Sequence, residues 1–91
     1  MTSAVRQNAE RARFELDLGG VTAIANYMLA DGVMAFTHTE VPAALRERGV
    51  GSRLVRGALE AARAQGLRVK PYCSFVRSYI ARHPEFHDLV A

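Results

Sequence analysis

Polar and apolar residues alternate across residues 12–18, where Phe14, Leu16 and Leu18 are separated by Glu15 and Asp17. A period of two is that of a strand with one buried face. Gly19-Gly20 predicts a hairpin turn, residues 21–30 continue with β-branched and aromatic side chains, and Asp31-Gly32 supplies a second turn before a third run over 33–41. Three consecutive strands joined by tight turns predict an antiparallel meander. Pro42 ends the third, because it cannot donate to a ladder and pushes its predecessor to an extended shape.

The period then changes. Leu54, Val55, Ala58, Leu59 and Ala62 recur at helical spacing, with Arg53, Arg56, Glu60 and Arg63 on the other face. Ser52 is the expected N-cap and Gly66 the residue that closes the helix. Residues 67–73 read as a strand, and strand, helix and strand in succession predict a parallel pair with a right-handed crossover. Phe75, Val76, Tyr79 and Ile80 place a second helix over 74–82, stopped by Pro84, with Leu89 and Val90 returning to the sheet. Residues 1–11 are polar and without period, and read as a mobile leader to a domain spanning 12–91. The fold class is α/β: a mixed sheet in one compact domain, with a β-β-β meander followed by α-β-α.

Ninety-one residues suit one domain with a single core. The net charge of +3 rests on eleven arginines and one lysine, Lys70, spread along the chain. That suits a ligand with several phosphates, because the guanidinium fork matches phosphate oxygens. It is a weak argument for nucleic acid, since Arg53, Arg56 and Arg63 are more simply a solvated helix face. The lone Cys73 excludes an internal disulfide, and no apolar run approaches the roughly 20 residues of a membrane span. A cytoplasmic protein, without membrane or nucleic-acid partner, is expected. The three histidines and one cysteine lack close ligand spacing, so no metal is expected.

The run Arg46-Glu47-Arg48-Gly49-Val50-Gly51-Ser52 leads directly into the first helix. Glycines let the backbone turn tightly and expose successive N–H groups, while the helix end adds its positive dipole. Together they make an anion cradle suited to a pyrophosphate.

The strand order and the Arg46-x-x-Gly49-x-Gly51 loop resemble the GNAT superfamily of acetyl-CoA-dependent N-acetyltransferases. More narrowly, His38-Thr39-Glu40-Val41-Pro42, Pro71-Tyr72-Cys73-Ser74-Phe75 and Tyr79-Ile80-Ala81-Arg82-His83-Pro84 look like its small single-domain Yjdj-type members. The resemblance runs from about Arg13 to Val90. It implies that the amides of Arg48, Gly49, Val50, Gly51 and Ser52 hold the pyrophosphate of acetyl-CoA, with Arg46 adding charge-assisted contacts. It implies also that Val41 pairs its backbone with the pantetheine arm, that Ser74 lies near that arm or a CoA phosphate, and that Tyr79 protonates the departing thiolate.

Acetyl transfer needs a donor for the thioester oxygen and an unprotonated amine. His38 and Glu40 are the candidate bases. Strict alternation places Phe36, His38 and Glu40 on one strand face, and Thr37, Thr39 and Val41 on the other. Cys73, near a strand end, is either an inert buried thiol or a transient acyl carrier. The expected activity is acetyl transfer to an amine acceptor, by direct attack in a ternary complex or through Cys73. The competing expectation is a CoA-binding regulatory or interaction module with little catalysis. The acceptor is left open between small molecules and protein lysines or N-termini, and the oligomeric state between monomer and weak homodimer.

Overall fold

The computed structural model describes residues 5–91, apart from the side chains of Glu47 and Arg48. Five strands form one sheet in sequential order: β1 (Arg6–Asn8), β2 (Arg13–Leu18), β3 (Val21–Ala30), β4 (Val33–Glu40) and β5 (Arg68–Pro71). The first four run antiparallel and β5 is parallel to β4. Between them lie a 3₁₀ segment, Ala43–Arg48, and helix α1 (Val50–Ala64). Helix α2 (Ser74–Ala81) and a second 3₁₀ segment, Pro84–Leu89, complete the chain. The meander, the parallel pair and the two expected helices are therefore present, and Val90 bridges Val69 as the chain returns to the sheet.

One sheet face holds the core. Phe14, Tyr27 and Phe36 pack ring against ring, with centroids 5.3 to 6.4 Å apart, beneath Leu54, Val55, Leu59, Val76 and Ile80 of the two helices. Burying the apolar stripe of α1 against this face supplies the main driving force, because a helix of this length gains little stability alone. The opposite face bears no helix among the described residues.

Two expectations about local structure are corrected. Residues 1–4 of the expected leader lie outside the described residues, but Arg6–Asn8 is an edge strand rather than part of a mobile leader. Its contacts are polar, which is why it shows no apolar period: Arg6 pairs with Glu15 and Asp17, Asn8 donates to Glu15 at 3.1 Å, and Gln7 donates to the Tyr27 hydroxyl at 2.8 Å. Arg13 closes the cluster at 2.7 Å, so that Glu15, only 3% exposed, is a buried carboxylate between cations. Val5 fits over Gly57, where a methyl would lie 2.7 Å from its Cβ.

Ser52 is not the N-cap. The 3₁₀ segment carries the chain to Gly49, whose φ of 67° is left-handed, and α1 starts one residue later. Gly51 and Ser52 thus belong to the first helical turn, and the loop inferred from the glycines is largely helical.

Candidate active site

Strands β4 and β5 pair only from Val33↔Arg68 to Phe36↔Pro71. Pro71 has no N–H, and after a last bond from Cys73 N–H to the Phe36 carbonyl, 3.0 Å, the chain turns into α2. On its other side β4 stays paired to β3 as far as Ile24↔Glu40. Residues 37–40 therefore present an open strand edge, about 10–13 Å long, to a wedge between β4 and the two helix N-termini.

At the outer end of this edge stands the start of α1. No side chain caps it, and its first backbone bond runs from Arg53 N–H to the Gly49 carbonyl, which leaves the amides of Val50, Gly51 and Ser52 directed at the wedge. There is no acidic residue in the first turn. Arg46 donates from Nε to the Val41 carbonyl at 3.0 Å, which ties the 3₁₀ segment to the end of the strand and holds the guanidinium at the rim. The wedge is a cleft of about 580 Å³ that brings together His38, Glu40, Val41, Arg46, Gly49, Gly51 and Ser52. Val50 is fully buried and does not line the cleft.

A β-bulge corrects the expected alternation. Tyr27 faces Phe36 and Asn26 faces His38, so Thr37 has no partner in β3. The extra residue reverses the parity of everything after it. Thr39, opposite buried Ala25, shares the core-side face with Phe36, whereas exposed His38 and Glu40 lie on the uncovered face. His38 and Glu40 still share a face, as expected, but not with Phe36.

That reversal aims Thr39 at Cys73, with Oγ1 and Sγ 3.3 Å apart. Cys73 is half-buried at the N-cap of α2. Burial pushes its thiol up, but Thr39 and the amides of Val76, Phe75 and Thr39 favour the thiolate more strongly, so the thiol titrates below its ordinary value although no amide closes a capping bond. Thr39 and Phe75, both lining the cleft, were not among the residues singled out from sequence. Strict period two puts Thr39 on the face opposite Phe36, and the spacing of Phe75 is that of ordinary helix packing.

Other expected site residues lie elsewhere. Ser74 is exposed at the first position of α2 and does not line the cleft. Tyr79 is 2% exposed, stacked on His83 with centroids 3.8 Å apart and beside the Arg56 guanidinium, in the core rather than on the cleft wall. The Arg48 side chain lies outside the described residues. No group of three or more potential metal ligands occurs among the described residues.

An uncapped helix start, an open strand edge and a bulge at its inner end can hold an anion, an extended arm and a reacting carbonyl in sequence. Residues 13–89 match the family model for GCN5-related N-acetyl-transferases. The chain belongs to that family. Among its relatives, Protein NATD1 of Mus musculus and of Gallus gallus are each 28% identical over 83 residues, covering 88% of this chain and 76% of theirs. The NMR solution structure of a GCN5-like protein from Staphylococcus aureus superposes with a TM-score of 0.74 over 100% of this chain and 91% of that one, at 24% identity. The fold is thus that of a GCN5-like N-acetyltransferase, and membership of the family points broadly to acetyl transfer. No helix among the described residues is long and apolar enough to cross a membrane.

Proposed function

We propose that the protein is an acetyl-CoA-dependent N-acetyltransferase of the small Yjdj type, acting in the cytoplasm on an amine. The observation that carries this reading is the open edge of β4 running into the uncapped start of α1. The amides of residues 49–52 and the Arg46 guanidinium would bind the pyrophosphate, where helix dipole and charge act together. The pantetheine arm would lie along residues 37–41 and bond to the strand as a sixth strand would. This brings the thioester to the bulge.

There the amine nitrogen attacks the carbonyl carbon. The C–N bond forms, the C–S bond breaks with its electron pair on sulfur, and the proton lost by the amine ends on the CoA thiolate. Backbone N–H groups freed by the bulge would stabilise the oxyanion. His38 would accept the amine proton, with Glu40 beside it on the same face. Direct attack is the preferred route. Cys73, with its favoured thiolate, supports a covalent alternative in which the acetyl group rests on its sulfur before passing to the amine.

The test combines calorimetry with CoA and a CoA-release assay over a panel of amines. Wild-type protein should bind CoA, and Gly49→Asp, which places a carboxylate at the anion site, should weaken binding by at least about tenfold. Unchanged affinity in that variant would contradict the site. Cys73→Ala should retain most turnover by the direct route, and complete loss would establish the acyl-cysteine instead. CoA binding without turnover of any amine would favour a regulatory binding module.

A further inference from the structure

The wedge would be filled by the CoA arm, so the acceptor must be bound elsewhere. A second concavity of about 370 Å³ lies on the uncovered sheet face, where Met28, Val33, Ala35, Thr37, Lys70 and Tyr72 are among its walls. Its wall adjoins that of the wedge along the chain. Thr37 is the bulged residue and is followed by His38, which lines the wedge. The two walls follow one another along β4, the groove taking Val33, Ala35 and Thr37 and the wedge His38 to Val41, across the point where β4 and β5 separate after Phe36↔Pro71.

The bulge also sets the direction of approach. His38 lies on the uncovered face, so an amine arriving from that face can give it a proton, and its neighbour Thr37 stands in the groove wall. The groove surface is mostly apolar, with Met28 66% and Tyr72 64% exposed. Apolar side chains held so open gain stability only when a ligand covers them. Lys70, exposed on the groove wall, has no ion pair among the described residues. It precedes Tyr72 by two residues, about 7 Å of strand, so its flexible stem reaches the neighbourhood of the bulge. Asp31 closes the far end, beyond Val33, which is itself about 13 Å from Thr37 along β4.

We propose that this groove is the acceptor subsite and takes a free apolar α-amino acid. The amino group lies at the bulge, the carboxylate on Lys70, and the side chain over Met28, Val33 and Tyr72. The inference rests on the acetyl-CoA reading of the wedge. The products are an N-acetyl amino acid and CoA, with bonds and protons exchanged as above. A polyamine could place one amine on Asp31, but its chain would pass Lys70, and like charges there repel.

The experiment measures CoA release from acetyl-CoA with L-phenylalanine, L-leucine, L-phenylalaninamide, spermidine and a lysyl peptide, alongside NMR amide shifts on adding L-phenylalanine. The free amino acids should exceed phenylalaninamide in kcat/KM by about tenfold, the worth of one charge-assisted contact. Lys70→Gln should collapse that ratio, chiefly through KM for the acid, and Lys70→Arg should restore it. Shifts should centre on Ala35, Thr37 and Lys70. Spermidine or the lysyl peptide as the better substrate, an acid-to-amide ratio indifferent to Lys70, or shifts away from the groove would each overturn the assignment. Calorimetry with CoA separates the two readings: CoA binding with any of these results removes the groove alone, whereas failure to bind CoA removes the wedge reading on which it stands.

Discussion

Replacing Gly51 by alanine should separate ligand binding from stability. A methyl at this position would lie 2.7 Å from Phe75 Cζ, 3.1 Å from its Cε2 and 3.4 Å from Val41 Cγ2. Ordinary carbon contacts need about 3.5–4.0 Å, so the ring must move by about 1 Å. Phe75 is 38% exposed and lines the cleft, so it can yield by rotating, and the space open to it is the wedge. Two effects on folding oppose each other: alanine in place of glycine favours the helix by up to about 1 kcal/mol, while overpacking costs about 1–3 kcal/mol, with a yielding ring keeping it near the lower end. Urea unfolding should therefore show a change within about 1 kcal/mol. CoA affinity, measured by calorimetry, should fall about tenfold, equivalent to about 1.4 kcal/mol, because the displaced ring would occupy the path proposed for the arm. The double variant Gly51→Ala/Phe75→Ala should recover much of that loss, a coupling expected of residues in contact. Native affinity in Gly51→Ala, or a double variant whose loss is simply the sum of the two single losses, would refute the argument.

The other expectations concern the backbone, the thiol and the carboxylates. Gly49→Ala meets no atom within 4 Å but keeps a φ of 67°, so it should cost about 1–2 kcal/mol in urea unfolding, and Gly49→Asn distinctly less. Thr39→Val removes a contact that favours the Cys73 thiolate, so the pH midpoint for alkylation by iodoacetamide should rise; a stationary midpoint would show that Thr39 does not tune the thiol. Hydrogen bonds from Arg13 and Asn8, with the Arg6 charge, hold the Glu15 carboxyl below its ordinary value of 4.5. The stability this confers is complete above that value and is lost as pH falls through the depressed one. Thermal unfolding of Glu15→Gln should accordingly depend less on pH below about 4.5 than the wild type, and an equally steep loss would assign the acid sensitivity elsewhere.

The elements were legible in sequence wherever one face of an element is apolar. Phe14 and Leu16 alternate, and Leu54, Val55, Ala58, Leu59 and Ala62 recur, because burial selects side chains at the period of the backbone. Strand β1 escaped that reading since its attachments are ions and amides, which carry no periodic signature. Serine is a common cap, so Ser52 suggests a later start for α1 than the one the left-handed turn at Gly49 produces directly.

The glycine-containing run at the start of the first helix, the strand that leads to it and the residue types of the candidate site are readable from the chain alone: His38, Glu40 and Cys73 stand out by chemistry, spacing and family resemblance. Tertiary structure alone decided which way they face. One unpaired residue, Thr37, turns His38 to the open side of the sheet and Thr39 toward Cys73. A bulge depends on pairing with β3, and no local pattern in β4 announces it. The same holds for Tyr79, whose helical spacing is equally compatible with cleft and core. Packing against His83 and Arg56 settles it in the core, because only the assembled fold decides which apolar face meets which neighbour.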